Sequence, residues 1–119
     1  MAVSGDLFIG AQRVKKSETF FASSPTTGQK LEPAFSAAGP EEIGRACKLA
    51  WAAFHTYREL DPESRARFLE TAAEQIMALG DELLERAHAE SGLPLARLTG
   101  ERGRTVGQLR LFADELRKG

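Results

Sequence analysis

The feature that most limits what this chain can fold into is a helical pattern that opens at Gly39 and runs almost to the end of 119 residues. Pro40-Glu41-Glu42 starts it, with Pro at the first helical position and acids where the helix dipole favours them. Ile43, Ala46, Cys47, Ala50 and Phe54 then recur at i, i+3, i+4, i+7 and i+11, one apolar stripe. Asp61-Pro62-Glu63 restarts the pattern with an N-cap, and Leu69, Ala72, Ala73, Ile76 and Met77 form a second stripe. Gly80-Asp81 marks a break, and a shorter segment with Leu83, Leu84 and Ala87 ends at Ser91-Gly92. Pro94 opens a last helix that continues to about Arg117. A sheet-dominated fold is excluded.

The first third reads differently. Leu7-Phe8-Ile9 and Gln12-Arg13-Val14 flank Gly10-Ala11, a two-residue loop that closes a hairpin. Thr19–Ala22 and Lys30–Phe35 flank Pro25-Thr26-Thr27-Gly28, a second turn, and Pro33 confines its strand to an edge or an extended arm. The expected fold is an α+β fragment. A β-hairpin arm over residues 1–38 precedes three to four amphipathic α-helices over residues 39–119, a single incomplete domain. Two hairpins alone are marginal and need a surface to pack on.

A net charge of -1 excludes a global field for nucleic acid or an anionic membrane, and no apolar run is long enough to span a bilayer. The single cysteine forms no internal disulfide and the N-terminus lacks a secretory apolar core, so the expected location is cytoplasmic. Cys47 lies within an apolar stripe and is expected to be a buried structural thiol. His55 and His88 stand apart from other metal-ligating residues, and Glu85 accounts for His88 as a solvated pair. Neither a nucleophile elbow nor a Gly-rich phosphate loop is present. No catalytic, cofactor-binding or metal-binding residue is assigned.

The last helix is unusual. Gly100-Glu101-Arg102-Gly103-Arg104-Thr105-Val106-Gly107-Gln108-Leu109-Arg110 carries three glycines and three arginines. Each glycine weakens a helix interior by about 1 kcal/mol relative to alanine. At roughly 100° per residue, Leu95, Leu98, Thr105, Val106, Leu109, Phe112, Ala113 and Leu116 share one side. Gly100, Gly103 and Gly107 share the opposite side, with Arg104 and Leu111 beside them. Two readings stand: the glycines admit a close neighbour there, with the Arg104 guanidinium placed to reach an anionic group on it, or the helix is loosely formed and exposed and its glycines are incidental. Arg102 projects toward the Leu side and requires a carboxylate or carbonyl partner, or a bend in the helix.

Leu7–Gln12, then Ser24-Pro25-Thr26-Thr27-Gly28, Ala37-Ala38-Gly39, Ala52-Ala53-Phe54 and Pro62-Glu63-Ser64-Arg65-Ala66 follow one another in a specific order. That succession resembles the N-terminus of the aldehyde dehydrogenase superfamily and covers essentially the whole chain. Glu90-Ser91-Gly92-Leu93-Pro94 replaces the commoner acidic-Thr-Gly-Lys-Pro motif. Together with Gly100–Arg110, it is similar to the α-ketoglutaric semialdehyde (2,5-dioxovalerate) dehydrogenase branch. The resemblance implies a part of the nucleotide-binding half of a longer enzyme, with NADP or NAD as the cofactor of the full-length protein and none held by this stretch alone. It implies that the cysteine nucleophile, the glutamate and the nucleotide-binding core lie in C-terminal segments, and Cys47 inherits no role.

The partners implied are the remainder of the dehydrogenase chain and, at full length, copies of itself; nucleic acid and membrane are not among them. The resemblance also implies that the last helix borders the substrate tunnel. Arg104 would then bind the substrate carboxylate, with Gly100 and Gly107 leaving room for it. The alternative expectation is a free-standing helical protein-interaction module derived from such an enzyme.

Overall fold

The computed structural model describes residues 3–119 and divides the chain into two units, Met1–Arg58 and Glu59–Gly119. In the first unit, β1 (Leu7–Ile9) and β2 (Gln12–Val14) pair antiparallel with Leu7 opposite Val14. Gly10 closes the turn at φ +61°, a value that L side chains rarely adopt. β3 (Thr19–Ser23) pairs with β4 (Lys30–Ser36), with Phe20 opposite Phe35 and Ala22 opposite Leu31. Between those pairs the register shifts, and Pro33, which has no N–H for the ladder, lies inside the irregular stretch.

Polar groups tie the strand ends to the start of α1 (Pro40–Tyr57), while Ile9 of β1 supplies buried apolar surface. Ser36 is buried at the end of β4; its N–H donates to the Gly5 carbonyl at 2.8 Å, and its Oγ accepts the Lys16 N–H at 3.0 Å. The Lys16 ammonium meets Glu42 Oε1 at 2.5 Å, while Glu42 Oε2 accepts the Gly39 N–H at 2.8 Å. Gly39 has no side chain, so α1 carries only the Glu42 half of a capping box. The hydrogen bond from Lys16, reinforced by the Gly39 amide, lowers the Glu42 carboxyl from 4.5 to about 2.

The apolar stripe of α1 does not form the core that its spacing suggests. Ile43, Trp51 and Phe54 are 57%, 69% and 50% exposed, and Ala46 and Ala50 are exposed too. Cys47 is exposed, which corrects the expectation of a buried thiol. The physical reason is a shortage of surface. Leu49 reaches the Gly10 turn from another side of α1, and short two-stranded sheets have no broad face to cover the stripe.

The second unit is helical. Asp61 caps α2 (Pro62–Ala78) by accepting the Ser64 N–H at 2.6 Å. Gly80, at φ +64°, breaks the helix for only one residue, and α3 (Gly80–Ser91) follows at once. Gly92 ends α3 at φ +71°. His88 Nδ1 lies 2.6 Å from the Leu93 carbonyl; because a carbonyl only accepts, that nitrogen carries the proton. A backbone partner therefore accounts for His88 where a Glu85 pair was expected.

α4 (Leu95–Lys118) runs antiparallel to α2. Near its end Arg117 grips Glu63 through two hydrogen bonds of 2.9 and 3.1 Å and also pairs with Glu70, both in the first half of α2. Nearer its start, Arg102 donates to the Gly80 carbonyl at 2.9 Å, just beyond the other end of α2. The shared core of this unit consists of small side chains: Ala66, Ala73 and Ala113 at 0% exposure and Val106 at 2%. Leu84 and Leu98 complete it at 7% each. Ala66 was not singled out by its spacing, and Met77, which was, is exposed.

Two outcomes follow from this packing. Enlarging the alanine seam with Ala73→Leu or Ala113→Leu separates the helices and lowers stability by about 1–3 kcal/mol, measurable by urea unfolding at 222 nm. The Lys16–Glu42 pair sets a pH window for the first unit. Because the folded Glu42 carboxyl sits below 4.5, its contribution is complete above that pH and is lost as the pH falls toward about 2. The Lys16 ammonium is raised above 10.5 by the same bond, so its share is present below that pH and is lost on going higher. In Glu42→Gln, melting followed by Trp51 fluorescence should occur at lower temperature at pH 7 and change little on going from pH 4.5 to 2.

Candidate functional site

α4 presents three sides rather than the two its sequence suggests. The first, built on Leu98, Val106 and Ala113, is buried in the alanine seam. The second flanks it and carries Leu109 and Leu116, half-buried, with Phe112 at 58% exposure. Sequence periodicity placed all six on a single Leu side. The division comes from position around the helix: Leu98, Val106 and Ala113 turn inward, while Leu109, Phe112 and Leu116 lie along one edge of the buried side.

These edge residues form one wall of an open apolar groove of about 1050 Å³. The opposite wall is Leu69, Ala72 and Ile76 of α2, with Pro62 and Arg65 at one end. Nothing in the sequence reading isolated this groove. Its signal was present, since Arg65 and Ala72 directly precede the seam residues Ala66 and Ala73, as Thr105 and Phe112 precede Val106 and Ala113. Two parallel stripes one residue apart mark a seam with a groove beside it.

The third side is the candidate substrate-facing surface. Gly100, Arg104 and Gly107 stand at i, i+4 and i+7 of one continuous helix, which places them together. All three are exposed, and a Cβ built at Gly100, Gly103 or Gly107 would meet no atom within 4 Å. Arg104 makes no hydrogen bond or ion pair among the described residues, whereas Arg97 pairs with Glu101 at 3.1 Å one turn earlier. Arg102, which the sequence left in need of a partner, has one in the Gly80 carbonyl and takes no part in this surface. The surface offers a cation in an unobstructed setting, with room for a group to lie against the helix backbone.

No group of three or more His, Cys, Asp or Glu suited to a metal ion occurs among the described residues. No helix among them is long and apolar enough to cross a membrane. With nothing beside the glycines, Gly103→Ala gains helix propensity at no steric cost. It should raise the stability of the chain by about 1 kcal/mol in urea unfolding; a loss of stability would show that the third side is not open.

Comparison with known proteins places this architecture. Residues 13–119 match the aldehyde dehydrogenase family. The chain is 52% identical to alpha-ketoglutaric semialdehyde dehydrogenase 2 of Azospirillum brasilense, over 100% of the chain and 23% of that relative. It is 44% identical to alpha-ketoglutaric semialdehyde dehydrogenase of Acinetobacter baylyi, over 98% of the chain and 22% of the relative. The mitochondrial succinate-semialdehyde dehydrogenase of Rattus norvegicus is 30% identical over 96% of the chain and 22% of its own length. The chain thus spans less than a quarter of the length of these relatives. Two antiparallel hairpins followed by four helices are the α+β arrangement of the N-terminal part of such an enzyme. The chain belongs to the aldehyde dehydrogenase family.

Proposed function

We propose that this chain is the N-terminal part of an NAD(P)-dependent dehydrogenase that oxidises α-ketoglutaric semialdehyde (2,5-dioxovalerate) to 2-oxoglutarate, and that it is inactive alone. The observation that carries the reading is the similarity to two relatives bearing that name over essentially the whole chain, at 52% and 44% identity. The geometry supports the second half of it. The sheets are two separate antiparallel hairpins, and no βαβ crossover with a Gly-rich turn lies among the described residues. The reading assigns none of these residues to NADP or NAD. At full length the enzyme is a cytoplasmic homo-oligomer, with the cofactor held elsewhere in the polypeptide.

Within that enzyme, the third side of α4 borders the substrate. The substrate carries a carboxylate remote from its aldehyde, and a guanidinium recognises a carboxylate through paired hydrogen bonds. Arg104 fills that role, as an exposed guanidinium with no partner among the described residues. Gly100 and Gly107 leave the backbone of α4 bare on either side of it. This assignment explains why a helix of 24 residues retains glycines where alanine would fit.

The test is a chimera in which this chain replaces the matched segment of the Azospirillum relative. The chimera should oxidise α-ketoglutaric semialdehyde with NAD or NADP; a soluble, folded chimera without dehydrogenase activity would overturn the reading. In the active chimera, Arg104→Ala should raise KM for α-ketoglutaric semialdehyde by roughly 10- to 100-fold, the worth of a hydrogen bond to a charged group. KM for an uncharged aldehyde of similar length should stay nearly constant. Equal changes for both substrates would remove Arg104 from the substrate site.

A further inference from the structure

Arg104 has a carboxylate within reach on its own helix and does not pair with it. The residues three and four positions away are Gly100, Glu101, Gly107 and Gln108, so Glu101 is the only charged group at those spacings. Arg97 likewise has only Glu101 among the charged residues at those spacings. One carboxylate thus stands between two guanidiniums. Arg97 takes it, with Nε 3.1 Å from Oε1. We propose that Arg97 is a positioning residue for substrate recognition: by holding Glu101 it keeps Arg104 available to the substrate carboxylate. The proposal rests on the substrate role assigned to Arg104 above and adds how that guanidinium is kept unoccupied.

Helix geometry makes the pairing of Arg104 a choice between two directions. At roughly 100° per residue, Glu101 lies about 60° to one side of Arg104, and Gly100 and Gly107 lie about 40° and 60° to the other. A guanidinium bonded to Glu101 is drawn away from the glycine side, and its donors are spent. The competition is real. An acid that precedes its cation along a helix is the better order, which Glu101–Arg104 satisfies and Arg97–Glu101 reverses.

Charge adds a second effect in the same direction. Left without Arg97, the Glu101 carboxylate stands beside Arg104 and repels an incoming carboxylate. Neither effect touches an uncharged aldehyde. Arg97 and Glu101 are 62% and 50% exposed, so their pair adds little to the stability of the fold. Changes at either residue therefore read out on recognition of charge.

The test uses the active chimera and separates KM from kcat. Arg97→Ala should raise KM for α-ketoglutaric semialdehyde about two- to fivefold, the range of an exposed ion pair. Its kcat, and its KM for an uncharged aldehyde of similar length, should stay at the parental values. Adding Glu101→Gln to Arg97→Ala should restore KM, because a carboxamide forms no ion pair with Arg104 and does not repel the substrate. In an Arg104→Ala background, Arg97→Ala should raise KM no further.

An unchanged KM in Arg97→Ala, a rise that Glu101→Gln fails to reverse, or a rise that persists without Arg104 would overturn the positioning role and leave Arg104 its own. Equal effects of Arg104→Ala on charged and uncharged aldehydes would remove the substrate role of Arg104, and this proposal with it. A folded but inactive parent chimera would remove the dehydrogenase reading as well.

Discussion

Close approach of two helices through alanine governs the second unit. Ala66 and Ala73 lie seven residues apart on α2, Val106 and Ala113 seven apart on α4, and all four are buried. Small side chains bring backbones together but remove little apolar area from water, at about 25 cal/mol per Å². The ends are therefore fastened by other means. Arg117 bridges Glu63 and Glu70 at one end, and Arg102 holds the Gly80 carbonyl at the other. These bonds hold both glutamate carboxyls below their ordinary range and the Arg117 guanidinium above its own. An exposed ion pair is worth little by itself. Here one guanidinium holds two carboxylates seven residues apart on one side of α2, which fixes the rotation of α4 about its axis. That rotation decides which of its residues are buried, which line the groove and which face open space.

The first unit reaches order by a different route. Ser36, Lys16 and Glu42 connect strand ends to a helix start through hydrogen bonds, and few large apolar groups are buried with them. The consequence is that α1 keeps Ile43, Trp51, Phe54 and Tyr57 in water. Trp51 and Phe54 stack at 6.2 Å and His55 meets Trp51 edge-on at 5.3 Å, a partial shelter made within the helix itself. Both units share one property: their periodic apolar stripes exceed what their own partners can cover.

Local structure was legible because local chemistry determines it. Pro40, Asp61, Gly80 and Gly92 mark helix boundaries through a fixed φ, a side-chain acceptor or a positive φ, and each acts where the sequence indicates. Gly10 and Gly28 do the same for the hairpins. Burial was less legible. Periodicity identifies a side of a helix but not what lies against it, so Cys47 and Met77 read as core and stand in water. Ala66 reads as neutral and is fully buried. On the last helix the face of Gly100, Arg104 and Gly107 was visible from spacing alone, whereas the groove depended on the separation between two helices. The need of Arg102 for a partner could be stated in advance; that the partner is the carbonyl at the break before α3 could not, because it lies 22 residues away.

The paired hairpins have a consequence of another kind. In a two-stranded sheet every strand has one unpaired edge, a row of amide and carbonyl groups able to extend onto another chain. β4 is blunted by Lys30 and Pro33, but β3 reads Thr-Phe-Phe-Ala-Ser and carries no charge. The free edge of β3 is thus an uncharged row of amide and carbonyl groups, the kind of edge on which strand-to-strand pairing between chains can start.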